Sequence, residues 1–417
     1  MNTFLAFRFH ARPTDAVHSR GLRILPPLVA GLVLLLVAGC ASSSSGGKVV
    51  LTGDPLVDGP NAIQNGPPRD RVLWEYRMAS AAMQRGQFAD AKRNLDEALA
   101  RIGGIFNADA SSRRARGYFT AEGKKTFLGE PYERVMAYYY RGILYWMDDE
   151  PDNARACFRN AQFQDADAEE KSYASDYVLL DYLDGLATTK LKGDGADAFK
   201  RARAACRLAI PPEARPQHNV LFFLDYGQGP TKVAAGEYGE QLKFNPGQSA
   251  AREVRIRVGN QSLHVGPYDD LTFQATTRGG RVMDHVLGNK AVFKSTTDAV
   301  GNAALISGAV LAAAGSGQHS SADEVGAGLM VAGLLSKLVS AATTAKADTR
   351  CWENLPLYLS FATCQLPPGT YTATVEFLDA GRAPLANLTK NVTFTVTDAT
   401  RDKVIYLSDK SPTPLTQ

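Results

Sequence analysis

Along residues 131–165 the apolar positions recur at steps of three and four. Val135, Tyr138, Tyr139, Gly142, Ile143 and Tyr145 collect on one stripe, and after Asp148-Asp149-Glu150-Pro151 come Ala154, Phe158 and Ala161. This period predicts two helices. Proline at the break ends the first, because it has no amide to donate, and suits the opening turn of the second. Residues 71–102 repeat the theme: Leu73, Trp74 and Met78, a break at Gly86-Gln87-Phe88, then Ala91, Leu95 and Ala98. A looser third copy over 173–208 carries Tyr177, Leu180, Leu183 and Ala187, a break at Gly193-Asp194-Gly195, then Ala198, Ala202 and Ala205.

The small, large, small triplets admit a neighbouring helix around one bulky knob, and Gly142 lets it come close, so residues 70–210 read as a tetratricopeptide-like helical repeat domain. The steps are irregular. Ala91 and Ala154 are 63 residues apart and Ala154 and Ala198 are 44 apart, against about 34 in an uninterrupted array. Insertions follow, the larger at 103–130, either a loop over the concave face or a solvated connector, with its charge runs favouring the connector.

From Asn219 the period changes to two, as in Val254-Arg255-Ile256-Arg257-Val258 and Tyr371-Thr372-Ala373-Thr374-Val375-Glu376-Phe377. With Asn391 to Val396, Lys403 to Leu407 and turn signals such as Pro367-Pro368-Gly369, this predicts an antiparallel β-sandwich over 216–417. Residues 298–345 interrupt it with VGNAALISGAVLAAAG and EVGAGLMVAGLLSKLVSAATTA, a Gly/Ala-rich helical hairpin in which Gly301, Gly308 and Gly315 recur every seven residues. Its first helix, about 22 Å long, is short of the roughly 30 Å hydrocarbon core. The expected fold class is therefore α+β and multidomain: helical repeats, then a sandwich carrying the hairpin.

The chain's beginning bears on location. Arg8, Arg12, Arg20 and Arg23 precede an apolar run at 24–37 that closes on Val37-Ala38-Gly39-Cys40. This matches a signal peptide over 1–39 ending in a lipobox, whose cysteine thiol takes a diacylglyceryl group before cleavage leaves Cys40 as the new N-terminus. Ala41 and Ser42 follow, with no aspartate, which by Gram-negative sorting rules favours a lipid anchor in the outer membrane facing the periplasm. Residues 40–69, rich in Ser, Gly and Pro, read as a flexible tether. Removing 1–39 takes four arginines and one aspartate from 46 basic and 43 acidic residues. The remainder is neutral, so no basic field attracts nucleic acid.

Candidate chemistry is sparse. His218, His264, His285 and His319 have no ligand at helical spacing, which argues against a metal site. There is no phosphate-binding or nucleophile-elbow motif, no cofactor is implied, and carboxylate pairs such as Asp269-Asp270 read as surface. Asp348, Arg350 and Trp352 could form a functional patch or a buried ion pair under a tryptophan. Cys157 with Cys206, and Cys351 with Cys364, are candidate disulfides in an oxidising compartment, with free buried thiols as the alternative.

Three stretches carry a resemblance: FLGEPYERVMAYYYRG at 127–142, Gly227-Gln228-Gly229-Pro230-Thr231-Lys232, and Ala347-Asp348-Thr349-Arg350-Cys351-Trp352 before Leu355-Pro356. They resemble a family of bacterial tetratricopeptide-repeat outer-membrane lipoproteins over most of the mature chain. Such proteins are often encoded near lipoproteins similar to a peptidoglycan-synthase activator or a curli-secretion protein. The resemblance implies envelope assembly and brings no catalytic residues. The expected function is a non-enzymatic scaffold binding an envelope protein, with Trp74, Tyr138, Tyr139 and Tyr145 as candidate anchors in the repeat groove, and with self-association through the β region. The alternatives are a membrane-active or oligomer-forming component of a secretion machine using 298–345, and a cell-wall enzyme.

Overall fold

The computed structural model describes residues 51–107, 125–166, 173–277 and 346–417. Cys40, the leader, the 298–345 segment and most of the 103–130 insertion lie outside the described residues.

The architecture follows from one strand, β1 (Val220–Tyr226, VLFFLDY), in which all seven residues are buried. A strand without alternation needs cover on both faces. It receives that cover in a four-stranded sheet of order β10-β1-β7-β6, where β6 is Asp269–Asp270, β7 is Tyr358–Cys364 and β10 is Lys403–Ser408. On one face Phe223 meets two helical side chains, Tyr139 and Trp146, at ring distances of 6.3 and 6.4 Å. On the other, Phe222 meets Phe394 edge-on and Tyr226 meets Phe377. Those two partners belong to a five-stranded sheet of order β11-β9-β8-β4-β5, built from β4 (Glu253–Val258), β5 (Gln261–Val265), β8 (Gly369–Leu378), β9 (Lys390–Val396) and β11 (Leu415–Thr416). A small hairpin, β2 (Thr231–Ala235) with β3 (Gln241–Asn245), completes the β structure.

The fold is α+β. The larger sheets are mixed, because β10 lies parallel to β1 and β11 parallel to β9. This corrects the antiparallel expectation. Alternation reports which face is buried, and says nothing about the direction of a neighbour reached after crossing between sheets.

Eight α-helices lie among the described residues: α1 (Pro55–Asn65), α2 (Arg71–Gln84), α3 (Phe88–Asn107), α4 (Pro131–Met147), α5 (Pro151–Asp165), α6 (Val178–Lys190), α7 (Ala196–Ala205) and α8 (Leu271–Thr276). The first corrects part of the tether reading. Asp54 caps it by accepting the Leu56 amide, and Pro55 sits where its missing N–H costs nothing. Asp58, buried, ties back Thr52 and Gly53. Pro and Gly here punctuate a helix start.

Helices α2/α3, α4/α5 and α6/α7 form successive hairpins. Ala91, Leu95, Ala98, Ala154, Phe158 and Ala161 are all buried without exposure. A Cβ on Gly142 would stand 2.5 Å from Phe158, and one on Gly185 would stand 2.7 Å from Phe199. The third hairpin therefore runs on Gly195, Phe199 and Ala202, three residues before the expected Ala198, Ala202 and Ala205. Glycine replaced the first alanine, at the cap of α7, and hid the register. The first helices of the hairpins face the central sheet: Tyr140 meets Tyr406, and Tyr182 meets Phe361. The described residues from 51 to 417 thus cluster as one compact unit with a shared core.

Gly142→Ala is expected to lower unfolding free energy by about 1–3 kcal/mol, through forced repacking of Phe158. Urea melts check this, and Phe158→Leu in the same chain should recover part of the loss. A Gly142→Ala protein as stable as the parent would refute the close contact.

Candidate functional site: a buried polar joint

Helix α4 opens on Glu130-Pro131-Tyr132-Glu133. The Glu130 amide donates to Glu133 Oε2 at 2.6 Å, one half of a capping box that turns the Glu133 carboxylate back toward the helix start. There it meets two other parts of the chain. Lys232 Nζ of β2 donates to Oε2 at 2.5 Å, and the Trp352 amide donates to Oε1 at 2.8 Å. Lys232 also donates to the Arg350 carbonyl at 3.0 Å. The β1–β2 turn can deliver Lys232 because glycine stands at 229, where a Cβ would lie 2.7 Å from the Pro356 carbonyl oxygen.

The side chains of Glu133 and Lys232 are 0% and 2% exposed. Burial alone would push the Lys232 ammonium down. The Glu133 carboxylate, aided by Glu130, outweighs burial and holds it above the ordinary lysine value. Phe127 and Tyr132 present their rings to the ammonium at 5.2 and 6.0 Å.

Around this pair the 346–352 stretch is pinned. Arg350 bonds Asp348 and Asp70 at 2.6 Å each and the Lys125 carbonyl at 2.8 Å. Burial would raise the Asp348 carboxyl, but the Arg350 hydrogen bonds prevail and hold it below the carboxylate range. Trp352 stacks on Tyr76 at 4.3 Å and donates from Nε1 to Ser80 Oγ. Cys351 Sγ lies 3.7 Å from both Tyr132 Oη and the Pro230 carbonyl, and burial pushes its thiol up to about 11. Of Asp348, Arg350 and Trp352, the tryptophan is fully buried and the ion pair is half-buried at its side, so the buried-pair expectation holds only for the tryptophan. The three stretches 127–142, 227–232 and 347–352 converge on one sealed joint, where a carboxylate and an ammonium bind each other rather than solvent.

Three more carboxylates bridge helices and sheet. Asp402 accepts Trp146 Nε1 at 2.9 Å and Lys190 Nζ at 2.7 Å. Asp225 Oδ2 accepts the hydroxyls of Tyr140 and Tyr406 at 2.7 and 2.9 Å. Asp269, expected on the surface, is buried and accepts the first two amides of α6, Val178 and Leu179, at 2.9 Å each. Its two oxygens there satisfy orphan donors of the helix start. Sequence reasoning singled out neither Glu133, Lys232, Asp225 nor Asp402. One signal was readable: a lone aspartate inside the apolar run VLFFLDY.

The candidate anchors divide. Tyr139 is fully buried against Phe223 and Tyr140, which removes it as a partner contact. Trp74 is half-buried, under Arg77 at 5.0 Å, and lines a cleft of about 280 Å³ with Leu51, Pro55 and Glu353. Tyr138 is half-buried near Cys157, and Tyr145 lies half-buried 3.5 Å beneath the Arg141 guanidinium, which Asp96 of α3 holds at 2.6 Å. The groove reading needs correction as well. The inner helix face is occupied by the chain's own sheet.

Cys157, Cys206, Cys351 and Cys364 are free thiols, which corrects the disulfide candidates. Helix α6 packs between α5, which carries Cys157, and α7, which Cys206 ends; Cys351 is engaged by Tyr132. Burial pushes the Cys157 and Cys364 thiols up to about 11 and 12. Among the described residues, no three His, Cys, Asp or Glu side chains converge as a metal site. No described helix is long and apolar enough to cross a membrane.

Glu133→Gln or Lys232→Met alone is expected to cost about 3–5 kcal/mol, because each leaves the other charge buried without its counterion. The double variant should cost less than the sum of the two. A double-mutant cycle by denaturant unfolding checks this, and strict additivity would contradict the coupling. Compared with protein-family models, curated proteins and solved structures, the chain matches none.

Proposed function

We propose that this protein is a lipid-anchored scaffold or assembly factor of the cell envelope, held at the outer membrane through Cys40 and facing the periplasm. Its three helix hairpins are taken as a short, irregular tetratricopeptide-like array and its two larger sheets as a sandwich-like layer. The observation that carries this reading is the use made of the interior ionisable groups. Glu133 with Lys232, Asp402 with Lys190, and Arg350 with Asp70 are spent on joints between segments, which favours a rigid platform. The lipobox at Val37-Ala38-Gly39-Cys40 supports the anchor.

With the inner helix face covered, a partner protein meets the outer surface. There Trp74 under Arg77, and the half-buried Tyr138 and Tyr145, the latter stacked on the buried Arg141 guanidinium, present aromatic faces, a residue type that dominates binding energy at protein interfaces. A mostly pre-ordered aromatic loses little entropy on binding, since a pinned arginine already fixes its ring.

In-cell crosslinking from positions 138 and 145, followed by mass spectrometry, tests the reading. The expected outcome is one dominant envelope protein, lost in Tyr138→Ala/Tyr145→Ala with folding retained. Glycan fragments, or copies of the chain alone, would replace the scaffold reading with wall binding or self-assembly. Cys40→Ser is expected to move the protein from the membrane fraction to the soluble fraction; unchanged membrane fractionation would rule out the lipid anchor.

A further inference from the structure

We infer that Asp225 and Asp269 form a proton-controlled latch between the helix layer and the central sheet, closed when both carboxyls are neutral and loosened when they ionise. The two residues come from strands that do not touch. Asp225 of β1 and Asp269 of β6 are each paired across from Leu359 of β7, so they stand in one row on one face of the sheet. At the usual strand spacing they are about 10 Å apart. That face is the one the helices cover, and each aspartate reaches a different helix: Asp225 holds Tyr140 of α4, Asp269 holds the first turn of α6.

These two carboxyls differ from the other buried ones in what they are bonded to. Glu133 and Asp402 have lysines, whereas the hydrogen-bond donors of Asp225 and Asp269 are neutral hydroxyls and amides. Facing Asp225 are Tyr139 and Tyr140 of α4, Tyr406 of β10, and Asp409 and Lys410 just beyond it. Facing Asp269 are Tyr139 again, Asp165 of α5, Asp176, whose carboxylate Arg207 binds at 2.9 Å, and Cys206 at the end of α7. Lys410, exposed, makes no ion pair with Asp225. Tyr139 feels both aspartates. Its hydroxyl and Asp225 Oδ1 are buried without a hydrogen-bond partner among the described residues. Such a row tolerates two neutral acids, but two charges sharing it would each be desolvated and would repel.

The direction of the effect follows. Burial, opposed by the tyrosine hydroxyls at Asp225 and by the α6 amides at Asp269, pushes both carboxyls up to about 7. The unfolded chain ionises them near 3.9. The stabilisation from keeping them protonated is fully present below the unfolded value and is lost as pH rises through about 7.

The full chain is tested by amide hydrogen exchange and thermal melting at pH 5.5 and 8.5. Raising the pH is expected to reduce protection in α4 and the first turn of α6 and to lower the melting temperature by at least about 1 °C, the scale of a ~1 kcal/mol loss for a chain of this size. Asp225→Asn keeps an acceptor for both tyrosines and should remove part of that pH dependence. Equal protection and melting at both pH values, or an Asp225→Asn protein with the parent's whole pH dependence, would overturn the latch. Infrared spectra of the parent with isotope-labelled aspartate decide the matter even if the variant does not fold: a protonated-carboxyl band that disappears between pH 6 and 8 is expected, and its absence would refute the proposal.

Discussion

A carboxylate at the first turn of α4 and an ammonium on β2 have been taken out of water together, and the described fold is arranged so that they meet. Desolvation costs several kcal/mol for each ion, and the attraction between them offsets it only when geometry is good and the remaining hydrogen-bonding capacity is used. Here Glu133 takes three donors and Lys232 has a second acceptor in the Arg350 carbonyl. The five groups come from the start of α4, β2 and the 350–352 stretch. Displacing any one strands a charge in the core, so the joint selects one mutual arrangement of segments that hydrophobic burial alone would leave less sharply defined.

The bulk of the stability lies elsewhere, in the layering. A strand apolar on both faces obliges the chain to build cover twice, with α4 and α6 on one side and β8 and β9 on the other. Aromatic rings dominate both seams, each burying far more apolar area than the polar joints occupy. This layering also changes what the helix hairpins can do. In an open array the inner helices line a groove; here that surface is covered by Phe223, Phe361 and Tyr406.

Polar groups in the interior follow two regimes. Where a cation is present, as at Glu133 and Asp402, a lysine ammonium pairs with the carboxylate and ties segments together. Where only hydroxyls and amides are present, as at Asp225 and Asp269, burial moves the carboxyl toward neutrality and makes the contact responsive to pH. The first kind ties α4 to the β2 hairpin and α6 to the segment before β10, and the second ties α4 and α6 to the central sheet, so the contact combines an ion-paired part with a titratable one.

The sequence by itself determined the local elements. Steps of three and four placed the hairpin helices, with Ala91, Leu95, Ala98, Ala154, Phe158 and Ala161 in the core, and steps of two placed β4, β8 and β9. These are legible because a residue's face within a helix or strand depends only on its neighbours in the chain. Tertiary structure decided the rest. The parallel placement of β10, the burial of Tyr139 and the Glu133–Lys232 pair each depend on contact with residues distant in sequence. The three stretches that stood out at 127–142, 227–232 and 347–352 could be noticed separately, but not joined. Glu133 and Lys232 are 99 residues apart and Glu133 and Trp352 are 219 apart, and whether a charge at such a position faces water or a counterion is settled only when the layers close.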